Sequence, residues 1–183
     1  MKAILLFLLA VSATSAPAQH VLKAVHGEVS FFSSAPLEDI LATSKQVNSF
    51  INIVTGEIAF FIPMRSFQFD KSLMQEHFNE KYVESDKYPN ATYKGKLEGE
   101  FSLTTPGKYT LTSSGTLSIH GKEKQISETG TLEVTADTVF LETKFYVALE
   151  DYDIAIPKLL FNNIAEKVEV TMRVAYLPYV VEE

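Results

Sequence analysis

Ala91-Thr92-Tyr93-Lys94-Gly95-Lys96-Leu97-Glu98-Gly99-Glu100-Phe101-Ser102-Leu103 is the stretch that decides the fold class. Its odd positions are apolar or small, and its even positions, through Thr104, are polar or charged. Successive side chains of an extended strand point to opposite faces, so this period of two describes a strand with one dry face and one wet face. Thr105-Pro106-Gly107 follows, where proline fixes φ and glycine tolerates positive φ, and the chain turns. A second long strand then alternates Tyr109, Leu111, Leu117 and Ile119 with Lys108, Thr110, Thr112, Thr116 and Ser118. The two strands read as an antiparallel hairpin.

Downstream of this hairpin the rhythm continues. After His120-Gly121-Lys122, residues Ile126, Gly130, Leu132 and Val134 alternate with Gln125, Ser127, Thr129, Thr131 and Glu133. Ala136-Asp137 turns the chain, after which Val139, Leu141, Phe145 and Val147 oppose Glu142 and Lys144. A last strand near 167–177 sets Val168, Val170, Met172, Val174 and Tyr176 against Lys167, Glu169, Thr171 and Arg173. Upstream, strands are predicted near 26–34, 46–53 and 57–62, the last two joined by Val54-Thr55-Gly56. About eight strands at this spacing predict an all-β barrel or sandwich.

Two segments break the alternation. Ser72-Leu73-Met74-Gln75 has the form of a capping box and predicts a short helix to about Glu80, with Leu73, Met74, His77 and Phe78 on one face. Residues 157–164 predict a second short helix or an irregular crossover, and both segments are suited to covering a barrel mouth. No repeat, linker or low-complexity run divides the chain, so residues 19–183 read as one domain.

Residues 1–18 read as a secretory address. Lys2 is a short basic start, Ala3 to Val11 an apolar run, and Ala16-Pro17-Ala18 a cleavage signal. The apolar run is short of the roughly 20 residues a spanning helix needs, so an exported protein that does not span the membrane is expected, in the periplasm or released. The chain has no cysteine, so no disulfide holds it and its stability rests on burial. Sixteen basic residues stand against 23 acidic ones, for a net charge of −7. These charges are scattered without a basic cluster, which argues against nucleic acid as a partner.

The four histidines, His20, His26, His77 and His120, show no short metal-ligand spacing, so no metal is expected. His77 is read as seating the short helix and His120 as a turn residue. No G-x-S-x-G elbow is present, and the chain is read as neither an enzyme nor a cofactor carrier. Asn90-Ala91-Thr92 matches a glycosylation sequon and is given no role. A small outer-membrane barrel would also alternate, but Lys94, Lys96, Glu98 and Glu100 would then crowd a narrow lumen.

The inward parity raises two questions. Gly95, Gly99, Gly115 and Gly130 mark either sharp curvature or room for a ligand, with curvature the favoured reading. Glu128 falls on the parity of Ile126 and Gly130, and a buried carboxylate is costly unless paired. A β-bulge turning Glu128 to solvent is the favoured reading; an interior carboxyl meeting a polar ligand head or an interior base is the other.

Several stretches together resemble the YceI-like family of exported lipid-binding proteins. The segment Ser72 to Phe78, leading to Glu84-Ser85-Asp86-Lys87-Tyr88-Pro89-Asn90-Ala91-Thr92-Tyr93, is similar to the family's short helix and its serine-acid-x-x-Pro approach to a strand. Gly115-Thr116-Leu117-Ser118-Ile119-His120-Gly121 resembles the family's hairpin motif, and Asp151-Tyr152-Asp153-Ile154 with the last strand also fits. The region from Val25 to Val54 departs from the usual opening, with His26-Gly27-Glu28-Val29-Ser30-Phe31-Phe32 in its place. The resemblance implies an antiparallel, eight-stranded, lipocalin-like barrel with one or two short helices, around a long apolar cavity for a polyisoprenoid or similar amphiphile.

On this reading the protein binds an apolar or amphipathic lipid, such as a polyisoprenoid or isoprenoid quinone, for storage or transport. The competing reading is a structural or envelope-stress interaction protein whose barrel is filled by its own side chains. Candidate ligand contacts are Phe60 and Ile62, then Phe67, then Tyr93 on the opening strand. The next strands add Tyr109, Leu111, Leu117, Ile119 and Leu132, and the last ones Leu141, Phe145 and Met172. A homodimer is kept open. The small inward residues of the 91–103 and 107–119 hairpin are the expected place for the ligand.

Overall fold

The computed structural model describes residues 21–157 and 163–179. The predicted leader, 1–18, lies outside the described residues, as do residues 158–162 of the predicted second helix. Ten antiparallel strands are present among those described. They are β1 (Val21–Ser34), β2 (Asp39–Ser44), β3 (Asn48–Asn52), β4 (Glu57–Pro63), β5 (Gln68–Phe69), β6 (Asn90–Glu98), β7 (Gly107–Ile119), β8 (Lys122–Val134), β9 (Val139–Ala148) and β10 (Lys167–Tyr179). Eight of them close a barrel in the order β1-β3-β4-β6-β7-β8-β9-β10, with β10 pairing back onto β1 from Val21↔Tyr179 to Phe32↔Glu169. The expected eight-stranded antiparallel barrel is therefore present.

Strands β2 and β5 extend this frame at one end. Both β2 and β3 pair antiparallel with β1, on its second half and its first three residues respectively, so they act as two halves of one strand bent at 45–47. Val47 occupies the bend, and a Cβ on Gly27 would sit 2.6 Å from the Val47 Cβ. Only glycine lets the bent segment lie that close to β1. In the same way β4 pairs with β3, a 3₁₀ turn follows at Met64–Ser66, and β5 pairs with β2.

Two predicted boundaries change for local reasons. The strand that opens at residue 91 ends at Glu98, because Gly99 has φ of 126°, a conformation that a regular strand does not contain. Phe101 and Leu103 leave the sheet, yet they still pack against the core from the loop. At the other end, β1 begins five residues before the predicted 26. A register shift against β10 between Ala24 and His26 switches the inward parity from even to odd, hiding the strand's start from a period-two reading.

One end of the barrel is solid. Leu22 and Ile51 pair across β1 and β3, and Leu132, Val134, Val174 and Tyr176 close around them, all nearly inaccessible. The Tyr176 hydroxyl, wholly buried, shares a 2.6 Å hydrogen bond with the Ser49 hydroxyl. Such burial contributes roughly 25 cal/mol per Å² of apolar surface and is what holds a chain without disulfides.

The outer face of strands β7 to β10 carries ion pairs. Lys144 pairs with Glu169 at 2.7 Å, Arg173 with Glu142 at 2.9 Å and Lys108 with Glu133 at 3.5 Å, each across neighbouring strands. A barrel facing lipid tails would carry apolar residues at these positions. No helix among the described residues is long and apolar enough to cross a membrane.

A short helix, α1 (Ser72–His77), widens into a π turn at Phe78–Tyr82, where the Val83 N–H donates to the Phe78 carbonyl at 2.9 Å. The predicted capping box does not form. Ser72 is itself helical with Lys71 at the cap position, and the Gln75 side-chain oxygen accepts from the Phe69 N–H at 3.4 Å instead. The inward face is also narrower than predicted, since Leu73 is 59% exposed. The loop after the π turn is pinned by His120, in the β7–β8 turn at φ 51°. Its Nδ1 donates to the Tyr152 carbonyl at 2.9 Å, its Nε2 meets a Glu84 carboxylate oxygen at 2.9 Å, and the Tyr88 ring stands edge-on at 4.7 Å.

Candidate functional site

Above the solid end the barrel is hollow. A cavity of about 340 Å³ runs between the sheet walls, with a lining that is overwhelmingly apolar. Ile58, Leu97, Leu111 and Leu141 stand nearest the solid end, and Phe60, Tyr93, Leu117, Phe145 and Met172 form the walls. At the other end the lining passes to Met74, His77 and Phe78 of the helical segment and to Leu149, Ile154 and Ile164 of the β9–β10 connection. The predicted helical segment and crossover thus both reach the cavity. The volume falls in the usual range for small-molecule sites.

Ten of the twelve predicted contacts line this cavity: Phe60, Ile62, Phe67, Tyr93, Leu111, Leu117, Ile119, Leu141, Phe145 and Met172. Two do not. The Tyr109 hydroxyl donates to the Thr105 carbonyl at 2.8 Å in the β6–β7 loop, and Leu132 is buried in the solid end. Period two names the face of a strand but not the level along the barrel, and these two side chains sit below the hollow.

The sequence reading missed the aromatic cluster at the mouth. Phe31, Phe67, Phe69 and Phe78 meet with ring centroids 5.1 to 5.8 Å apart, Phe31 and Phe78 nearly stacked, and all four line the cavity. Such aromatic pairs are worth about 0.5–1.5 kcal/mol each beyond area burial. Phe31 and Phe78 carried a signal, on an inward strand position and on the apolar helix face. Phe69 carried none, because its strand has two residues and therefore no period.

Glycines of the β6–β7 hairpin do not open the hollow. Gly95 and Gly115 pair directly, and a Cβ on Gly115 would lie 2.3 Å from the Lys94 carbonyl oxygen and 2.4 Å from the Gly95 Cα. Over Gly95 lies the Tyr93 side chain, its hydroxyl 2.3 Å from where a Cβ would be. Curvature and close backbone approach account for both positions. The expectation that these small residues make the ligand space is corrected: of the hairpin's small inward residues, only Ala91 and Ser113 line the cavity.

The bulge reading of Glu128 is also corrected. β8 keeps unbroken register with β7, Glu128 pairs with Ser113, and its side chain lines the cavity between Ile126 and Gly130. Beside it the Tyr93 hydroxyl shares a 2.7 Å hydrogen bond with the Ser113 hydroxyl. Burial pushes the Glu128 carboxyl above its ordinary range. The Tyr93 phenol is raised chiefly by burial, helped by the Glu128 charge and opposed by its bond to Ser113.

These shifts give a signed expectation. The folded protein holds the Glu128 proton more tightly than the unfolded chain does, so its contribution is intact below the ordinary glutamate pKa and lost as pH rises through the raised folded value. Glu128→Gln cannot ionise, so it is expected to gain stability over the wild type at pH 7. The gain should close as pH falls below about 4. Urea midpoints of both proteins from about pH 3.5 to 8 check this, and a difference independent of pH would refute it.

No cluster of three or more histidine, cysteine or acidic side chains suited to a metal occurs among the described residues.

Comparisons with known proteins follow the same lines. The family model described as "YceI-like domain" matches residues 12–176. No curated protein matches the chain. Among solved structures, a polyisoprenoid-binding domain from Saccharophagus degradans superposes with a TM-score of 0.74 at 17% identity, covering 87% of this chain and 99% of its own. BcnA of Burkholderia cenocepacia superposes at 0.69 with 14% identity, covering 81% of this chain and 95% of its own. The YceI protein of Campylobacter jejuni gives 0.58 at 12% identity, covering 98% of this chain and all of its own. At these identities the likeness is one of fold.

Proposed function

The chain belongs to the YceI-like family, and on that footing we propose that its barrel holds a lipid of the polyisoprenoid class, for storage or transport and without chemical change. The observation that carries this reading is the hollow itself, a closed β-barrel around about 340 Å³ of almost wholly apolar space. Removing ligand surface from water there contributes roughly 25 cal/mol per Å², which suffices to hold an isoprenoid chain without a charged clamp. The Saccharophagus degradans relative of this fold is described as polyisoprenoid-binding, which supports the same class for this chain. An isoprenoid quinone is one member of that class. Residues 1–18 read as a leader, and the proposed place of action is the periplasm.

Extraction of the purified protein with organic solvent, followed by mass spectrometry, tests the reading. A co-purified isoprenoid lipid is expected, as is a rise in melting temperature when farnesol or an isoprenoid quinone is added to delipidated protein. Should no lipid be recovered and neither compound bind, the barrel is not a carrier.

A further inference from the structure

We propose that the cavity selects neutral amphiphiles over anionic ones, and that Glu128, with Ser113 and Tyr93 beside it, receives the ligand's hydrogen-bonding group and sets that preference. This deepens the carrier reading and rests on it. The first ground is the charge of the lining. Among the described residues no lysine or arginine lines the cavity. Three lining side chains have carboxyl or imidazole groups: Glu38, His77 and Glu128. Glu38 lies toward the mouth and is already bonded to Lys71, whose side chain is 66% exposed. His77 sits on α1 at the same end. Glu128 is therefore the carboxyl of the inner wall, and it has no ion-pair partner among the described residues.

The second ground is geometry. Glu128 lies across from Ser113 on β7, and Ser113 in turn holds the Tyr93 hydroxyl at 2.7 Å. Three oxygen-bearing groups from three adjacent strands thus come together in a largely apolar wall. Apolar side chains lie on both sides of them, Leu97 and Leu111 below and Ile119 and Ile126 toward the mouth. A ligand hydroxyl reaching this level can donate to the Glu128 carboxyl and accept from the Ser113 hydroxyl. A phosphate or carboxylate head meets the same groups with no lysine or arginine among the described lining residues to neutralise it, and an unpaired charge in an apolar site is strongly disfavoured.

The test compares three probes sharing one hydrocarbon skeleton: farnesol, farnesyl phosphate and farnesane, each titrated into delipidated protein at pH 7. Wild type is expected to bind farnesol at least about tenfold more tightly than farnesyl phosphate, because the phosphate must be desolvated without a partner. Glu128→Gln is expected to narrow that ratio by strengthening phosphate binding, and Glu128→Leu to erase the preference of farnesol over farnesane. Glu123→Gln removes one charge from an exposed position of the same strand and is expected to leave every ratio unchanged, which separates a local effect from the net charge of −7. Equal binding of farnesol and its phosphate by wild type, or a Glu128→Gln ratio no different from wild type, overturns the inference and leaves the carrier reading standing. Failure of all three probes to bind overturns both.

Discussion

Gly115→Ala is expected to lose roughly 3 kcal/mol or more of stability, the largest effect of any single methyl group in this barrel. The added carbon would lie 2.3 Å from the Lys94 carbonyl oxygen and 2.4 Å from the Gly95 Cα. Both atoms belong to the backbone of β6, whose ladder to β7 runs from Thr92↔Ser118 to Glu98↔Thr112, so they cannot withdraw without opening that ladder. Gly107→Ala is the control. It stands at the start of β7, and the nearest atoms to its new carbon would be those of the Tyr109 side chain, at 3.7 Å, an ordinary contact. A cost under about 1 kcal/mol is expected there. Urea denaturation of both variants decides: equal midpoints would show that the β6–β7 contact yields.

Filling the hollow should separate binding from folding. Ala91→Phe combined with Thr143→Phe places two rings into the cavity from β6 and β9. Farnesol affinity is expected to fall about 100-fold, equivalent to roughly 2.8 kcal/mol at 1.4 kcal/mol per decade. Stability is expected to stay within about 2 kcal/mol of wild type, since the new rings bury apolar surface while the Thr143 hydroxyl loses its 3.1 Å bond to the Thr129 carbonyl. Isothermal titration and urea midpoints measured on the same preparation check both halves. Unchanged farnesol affinity would place the ligand outside the barrel.

How much of this was legible in the sequence follows from what a period of two encodes. Strands β6 to β10 are legible, β6 with its end placed too late, because each carries at least three inward apolar residues, so the alternation repeats enough to be seen. β2 went unread because Ile40, Leu41 and Ala42 run together and its inward positions end in Ala42 and Ser44 while Leu41 faces out, and β5 because it has two residues; both are defined by where β1 and β2 offer unpaired edges. Alternation also says which way a side chain points without saying what it meets. Leu132 and Leu141 share one parity logic, yet one is core and the other lines the cavity. Tyr93 reads as bulk for the interior, but it lies along its own strand over Gly95, a matter of rotamer and neighbour. Glu128 looked like an error in the pattern, and the regular register makes it a feature of the wall.

The seam between β1 and β10 carries a consequence in time. It is the pairing that closes the barrel, and it joins the first and last strands described, so its contacts span nearly the whole domain in sequence. Contacts of such long range carry a large loop-closure entropy, so closure is expected to be the slow event in folding. Until Lys167–Tyr179 has emerged and docked, β1 and β9 each present an unpaired edge, and the hollow between them has an open side. A nascent chain can therefore assemble the β6–β9 meander early, yet it has no container for a lipid until its final strand arrives.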